Sequence, residues 1–140
     1  MTTVLNPYIV FQDNAREGMQ FYQGVFGGEL TMNTFKEFQA SRSPADDNRI
    51  MHAMLKSPNG LVLMGADTPS GVEQHKVSNI SISLSGENEE ELTGYYNRLA
   101  AGGTVVELLV KAPWGDTFGM LKDRYGVEWM VNIAGAQPGG

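Results

Sequence analysis

The stretch Asn14–Gly28, NAREGMQFYQGVFGG, has a near-copy 74 residues further on at Asn88–Gly102, NEEELTGYYNRLAAG. Laid over each other without a gap, they match Asn14 with Asn88, Phe21-Tyr22 with Tyr95-Tyr96, Gln23 with Asn97, Val25 with Leu99 and Gly28 with Gly102. Self-similarity over this length makes the chain two copies of one unit, each supplying half of a shared structure. Each copy reads as one capped helix. Asn14 and Asn88 stand where a side chain accepts from a first-turn amide, with Glu17 and Glu91 three residues on at the capping-box position. The run Glu89-Glu90-Glu91 suits the positive end of a helix dipole. Gly27-Gly28 and Gly102-Gly103 end the helices. Gly18, Phe21, Tyr22 and Val25 on the first helix, and Leu92, Tyr95, Tyr96 and Leu99 on the second, follow the three-four spacing of a face packed on a sheet.

Around the helices the strands repeat in order. The first half reads as strands over 4–11, 30–38, 50–56 and 61–65, and the second over 77–85, 104–110, 117–122 and 127–133. Asn59-Gly60 is a hairpin signal, and Asp123-Arg124-Tyr125-Gly126 marks the matching turn. The unit is β-α-β-β-β, twice, with repeats over 1–68 and 76–135, a linker over 69–75, a frayed tail and a polar loop over 39–49 long enough to cover a site. In the strand over 77–85, Ile80, Ile82 and Leu84 alternate with Asn79, Ser81, Ser83 and Ser85; in the last strand Val127, Trp129, Val131 and Ile133 alternate with Glu128, Met130 and Asn132. The apolar faces should carry the helices. The polar faces, were two sheets to curl toward each other, would line a cavity.

Composition narrows the function. A net charge of −6, with ten scattered basic residues, argues against nucleic acid as partner. The absence of cysteine removes disulfides, thiolate nucleophiles and zinc-thiolate sites together. The first residues lack a signal peptide's basic and apolar regions, and no apolar run approaches a membrane span, so a cytoplasmic location and no membrane partner are expected.

Duplicated β-α-β-β-β halves ending in an Asp-x-x-Gly turn resemble the vicinal oxygen chelate superfamily of glyoxalase I, extradiol dioxygenases and bleomycin-resistance proteins. More narrowly, Asn6–Phe11, Phe21-Tyr22, Phe26–Glu29, Met64–Asp67, Pro69–Gly71 and the closing runs Trp114–Met120 and Asp123–Met130 resemble the PhnB-like subgroup, over essentially the whole chain. The resemblance implies an α+β fold of two curled mixed sheets in a single PhnB-like domain over 1–140, and a homodimer. Members of the subgroup have often been labelled demethylubiquinone methyltransferases, but a strand–glycine loop–helix nucleotide fingerprint is missing here. The superfamily's metalloenzymes take one metal ligand from each of four strand positions, which fall here at Asn6 or Pro7, Met64, Asn79 and Met130. Thioethers and amides hold Ni²⁺, Zn²⁺ or Fe²⁺ poorly, so no metal and no cofactor are expected.

Two function classes remain. One is a protein that binds a small molecule in a cavity lined by Met64, Asn79, Ser81, Ser83, Trp114, Met130 and Asn132. Strand methionines adapt to varied ligands, and Trp114 in its Pro-Trp-Gly-Asp turn would cap the cavity or meet a second subunit. The other is a metal-independent isomerase or lyase with His52 as general base, on a strand face shared with Ile50 and Met54. A different alignment of the ligand positions would restore metal-dependent glyoxalase or dioxygenase chemistry. His75 falls in the polar linker. An unrelated ferredoxin-like α+β dimer is the competing fold.

Overall fold

The helix faces come out largely as the spacing predicts. In a computed structural model, which describes residues 4–71 and 78–135, α1 (Ala15–Phe26) buries Ala15, Gly18, Met19, Tyr22, Val25 and Phe26. Phe21 is half-buried and meets the Tyr22 ring edge-on at 5.3 Å, while Met19 takes the fully buried place. On α2 (Glu89–Ala100) all four expected residues, Leu92, Tyr95, Tyr96 and Leu99, are buried.

The chain divides into two compact units, residues 1–76 and 77–140. In the first, β1 (Tyr8–Phe11), α1, β2 (Glu29–Thr34), β3 (Ile50–Lys56) and β4 (Val62–Asp67) make a four-stranded sheet ordered β1-β4-β3-β2. In the second, β5 (Ile82–Gly86), α2, β6 (Thr104–Lys111), β7 (Thr117–Lys122) and β8 (Glu128–Ile133) repeat that order as β5-β8-β7-β6. The first and last strands of each unit pair in parallel and the other pairs are antiparallel, so each sheet is mixed. Each helix lies on one face of its own sheet. Ile9, Phe11, Ala53, Leu55 and Leu63 pack under α1, and Leu121, Trp129, Val131 and Ile133 under α2. The fold is therefore α+β, two β-α-β-β-β repeats with curled mixed sheets.

The hairpin turns are duplicates down to their hydrogen bonds. Ser57 N–H donates to Leu61 O at 2.9 Å and Gly60 N–H to Ser57 O at 3.1 Å; Asp123 to Val127 O at 2.8 Å and Gly126 to Asp123 O at 3.0 Å repeat them. The gapless match, however, slips by one at the helix ends. A Cβ on Gly28 would strike Lys56 O at 2.0 Å, and one on Gly103, not Gly102, would strike Lys122 O at 2.3 Å. Gly28 thus corresponds to Gly103, both placed where the chain leaving the helix crosses the next hairpin.

Several boundaries depart from expectation, each for a local reason. β2 ends at Thr34 because Thr34 N–H donates to Glu37 Oε1 (2.8 Å) and Glu37 N–H to Thr34 Oγ1 (3.1 Å), a reciprocal pair that turns the chain. β5 starts only at Ile82, so Ile80, 73% exposed, is not on the helix face with Ile82 and Leu84. The loop after β2 is pinned, not free. Buried Asp46 accepts from the amides of Ser70 (2.8 Å) and Arg42 (3.4 Å), and Arg49 donates to Gln12 O (2.6 Å) and Thr68 O (3.0 Å). The linker beyond residue 71, with His75, and the tail beyond residue 135 lie outside the described residues.

Candidate functional site: the open sheet faces

The face of each sheet away from its helix carries the candidate chemistry. In the first unit the register sets Tyr8 beside Met64 and Met64 beside Met54, one row across β1, β4 and β3. His52 sits two residues before Met54, opposite Asn33, with its ring centroid 6.2 Å from that of Tyr8. Partial burial pushes the Tyr8 phenol above its ordinary value. The expected face of Ile50, His52 and Met54 is not formed. A register shift opposite Asn33 and Thr34 skips Met51, which turns Ile50 into the core (1% exposed) while His52 and Met54 stay half-buried on the open side.

In the second unit, Ser83 pairs with Met130 and Met130 with Met120; Ser85 pairs with Asn132 and Asn132 with Phe118. Ser83 and Ser85 Oγ lie 3.3 Å apart, and Ser81 Oγ donates to Glu128 Oε2 at 3.1 Å. Asn132 Nδ2 donates to Asp116 Oδ2 (3.0 Å) and Gly135 N–H to Asp116 Oδ1 (2.9 Å); these bonds, the Gly135 amide first, hold the Asp116 carboxyl below its ordinary value. Trp114, 66% exposed, reaches the same corner with its ring 6.2 Å from Phe118. Ser83, Met130 and Asn132 therefore share one open face, with Ser81 joined to it through Glu128 and Trp114 at its corner. Asn79 does not join them: it is exposed and precedes β5. Met64 and His52 belong to the first unit's face.

One feature escaped the sequence reading. Met54 faces Met64 across β3–β4, and Met120 faces Met130 across β7–β8, the same cross-strand pair at positions 66 residues apart. That spacing was available in the sequence, but it differs from the 74 of the helices and becomes visible only once the two registers are set side by side.

The residues at the positions where the resemblance places metal ligands do not suit a borderline divalent ion. Met64 and Met130 present thioethers, and Asn79 and Asn6 or Pro7 offer at most amide oxygen, where a borderline ion wants imidazole and carboxylate. Among the described residues no group of three or more His, Asp or Glu side chains converges.

Two mixed sheets of order 1-4-3-2, each carrying one helix, define a duplicated glyoxalase-type architecture. A family model described as the Glyoxalase/Bleomycin resistance protein/Dioxygenase superfamily matches residues 4–131, and the chain belongs to that superfamily. Its structural neighbours include a PhnB protein. The crystal structure of protein PA1353 from Pseudomonas aeruginosa is 35% identical, with a TM-score of 0.78 over 95% of this chain and 98% of that one. A Bacillus cereus PhnB protein described as a putative 3-demethylubiquinone-9 3-methyltransferase is 25% identical, with a TM-score of 0.74 over 94% and 100% of the two chains. Protein YjdN of Escherichia coli K12 is 28% identical over 96% of this chain and 97% of its own length. No helix among the described residues is long and apolar enough to cross a membrane.

Proposed function

We propose that the chain is a cytoplasmic, homodimeric binding protein that holds a small molecule against its open sheet faces without the superfamily's divalent ion. The reading is carried by the residues at the positions where the family resemblance places metal ligands. Thioethers stand at Met64 and Met130, each extended by a second methionine into an apolar, deformable surface with hydroxyls or a phenol at its rim. Elemental mass spectrometry on chelator-free protein, before and after soaking in Ni²⁺, Zn²⁺, Mn²⁺ and Fe²⁺, tests it. Well under one equivalent per chain is expected; near one equivalent overturns the reading and restores metal-dependent chemistry.

The homodimer draws support from β6. At the edge of its sheet it exposes Val105, Val106, Leu108 and Val110 by 43 to 70%, an apolar edge that a second copy would cover. Light scattering on wild type and Leu108→Lys checks this, with a dimer expected for the first and a monomer for the second.

A second reading, a metal-independent isomerase or lyase, is favoured by one contact, the Tyr8 ring beside the His52 imidazole. It requires a bell-shaped rate profile that vanishes in His52→Ala. Ligand affinity that survives that substitution, with no turnover, sinks it.

A further inference from the structure

The two open faces differ at several equivalent positions but agree at their centres, and again at the exposed strand ends Lys56 and Lys122. Tyr8 corresponds to Ser83 and His52 to Phe118, so phenol has become hydroxyl and imidazole has become phenyl. Yet Met54–Met64 and Met120–Met130 stand unchanged on the two central strands of each sheet. These methionines are not the ones that fill the core. That work falls to Met19, fully buried under α1, whereas all four paired residues are half-buried on the side without a helix. A leucine pair would cover the same area. What methionine adds is a polarisable sulfur on an unbranched chain, which prefers the edge or face of an aromatic ring to saturated carbon.

We propose that the ligand of these faces carries an aromatic ring seated on a methionine pair, with its polar group at the rim that differs between the units. The proposal rests on the small-molecule reading above and names the chemical class that reading leaves open. In the first unit the rim offers the Tyr8 phenol and the His52 imidazole; in the second it offers Ser83 and Asn132. The aromatic requirement is common to both faces, and the polar recognition belongs to each alone.

The test compares two probes of the same connectivity, 1-naphthol and its fully saturated counterpart decahydro-1-naphthol, by isothermal titration against the full chain. The expected result is naphthol tighter by at least about threefold. In Met54→Leu/Met64→Leu, in Met120→Leu/Met130→Leu, or in both, that ratio falls toward one while the saturated probe binds as before, since leucine keeps the volume and apolarity. The single changes Met64→Leu and Met130→Leu carry the test should a double variant fold poorly. Equal affinity of the two probes for wild type, or a ratio unchanged in all the variants, overturns the aromatic proposal and leaves the small-molecule reading standing. Failure of both probes to bind at millimolar concentration overturns the two together.

Discussion

The carboxylate of Asp67, the last residue of β4, accepts a 2.8 Å hydrogen bond from the Ala15 amide at the start of α1, 52 residues earlier in the chain. Its other oxygen accepts from the Ile50 amide, also at 2.8 Å. Asn14, directly before the helix, makes no side-chain cap, whereas Asn88 caps α2 in the expected way, its Oδ1 accepting from Glu91 N–H at 3.0 Å. Removing these caps should therefore cost unequal amounts. Asp67→Ala strands two buried amides and is expected to lose about 2–3 kcal/mol. Asn88→Ala, at an exposed cap, should lose about 1 kcal/mol. Urea denaturation of the two variants checks the order; equal losses would contradict it.

The duplicated hairpin turns make a second unequal pair. Buried Asp123 accepts from the amides of Tyr125 (2.9 Å) and Val127 (3.0 Å) and from Trp129 Nε1 (2.9 Å). Ser57, in the same place, accepts from the Leu61 amide (2.9 Å) and bonds Asn59 through its hydroxyl. Asp123→Ala leaves the buried indole N–H and two amides without that acceptor, so a loss of about 3 kcal/mol is expected, against about 1 kcal/mol for Ser57→Ala. Near-ultraviolet circular dichroism should follow the first change through Trp129.

Two glycines of α1 should respond to alanine with opposite sign. A Cβ on Gly18 would sit 2.3 Å from the buried Phe11 ring, so overpacking outweighs the gain in helix propensity and Gly18→Ala should destabilise by about 1–2 kcal/mol. Nothing lies within 4 Å of a Cβ on exposed Gly24, and Gly24→Ala should stabilise by about 0.5–1 kcal/mol. Melting temperatures of the two variants on either side of wild type are the expected readout.

The pinned loop gives a pH dependence. Hydrogen bonds from Ser70 foremost, then the Arg42 amide and the Arg49 charge, hold the Asp46 carboxyl below its ordinary value. A carboxyl depressed in the folded state stabilises above its unfolded value, near about 4, and loses that contribution as pH falls through the folded value. Asp46→Asn should therefore show a shallower fall in melting temperature between about pH 5 and pH 3 than wild type. Parallel acid limbs would dismiss the assignment.

How much of this was legible in the sequence follows from the range of each interaction. The helices, their buried faces and the hairpin turns rest on contacts a few residues apart, and the three-four spacing of Leu92, Tyr95, Tyr96 and Leu99 declares them. The Asp67 cap was not legible, because nothing near Asn14 announces an acceptor 52 residues away. Nor was the displacement of Ile50 from the face of His52, since one bulged residue reverses side-chain parity and leaves no compositional trace. On the site, alternation alone set Ser83, Met130 and Asn132 on one face, and Met64 was singled out by the family resemblance. Asn79 did not, because the strand expected to carry it begins three residues later at Ile82.

The two ways of capping the helices also order events in time. α2 carries its own start signal within its first turn, present as soon as those residues exist. The cap of α1 comes from Asp67, so on a growing chain it can be made only once β4 has been synthesised. Two units that end alike thus differ in where the helix start is encoded, the earlier-made one in a strand at its far end and the later-made one in the helix's own first turn.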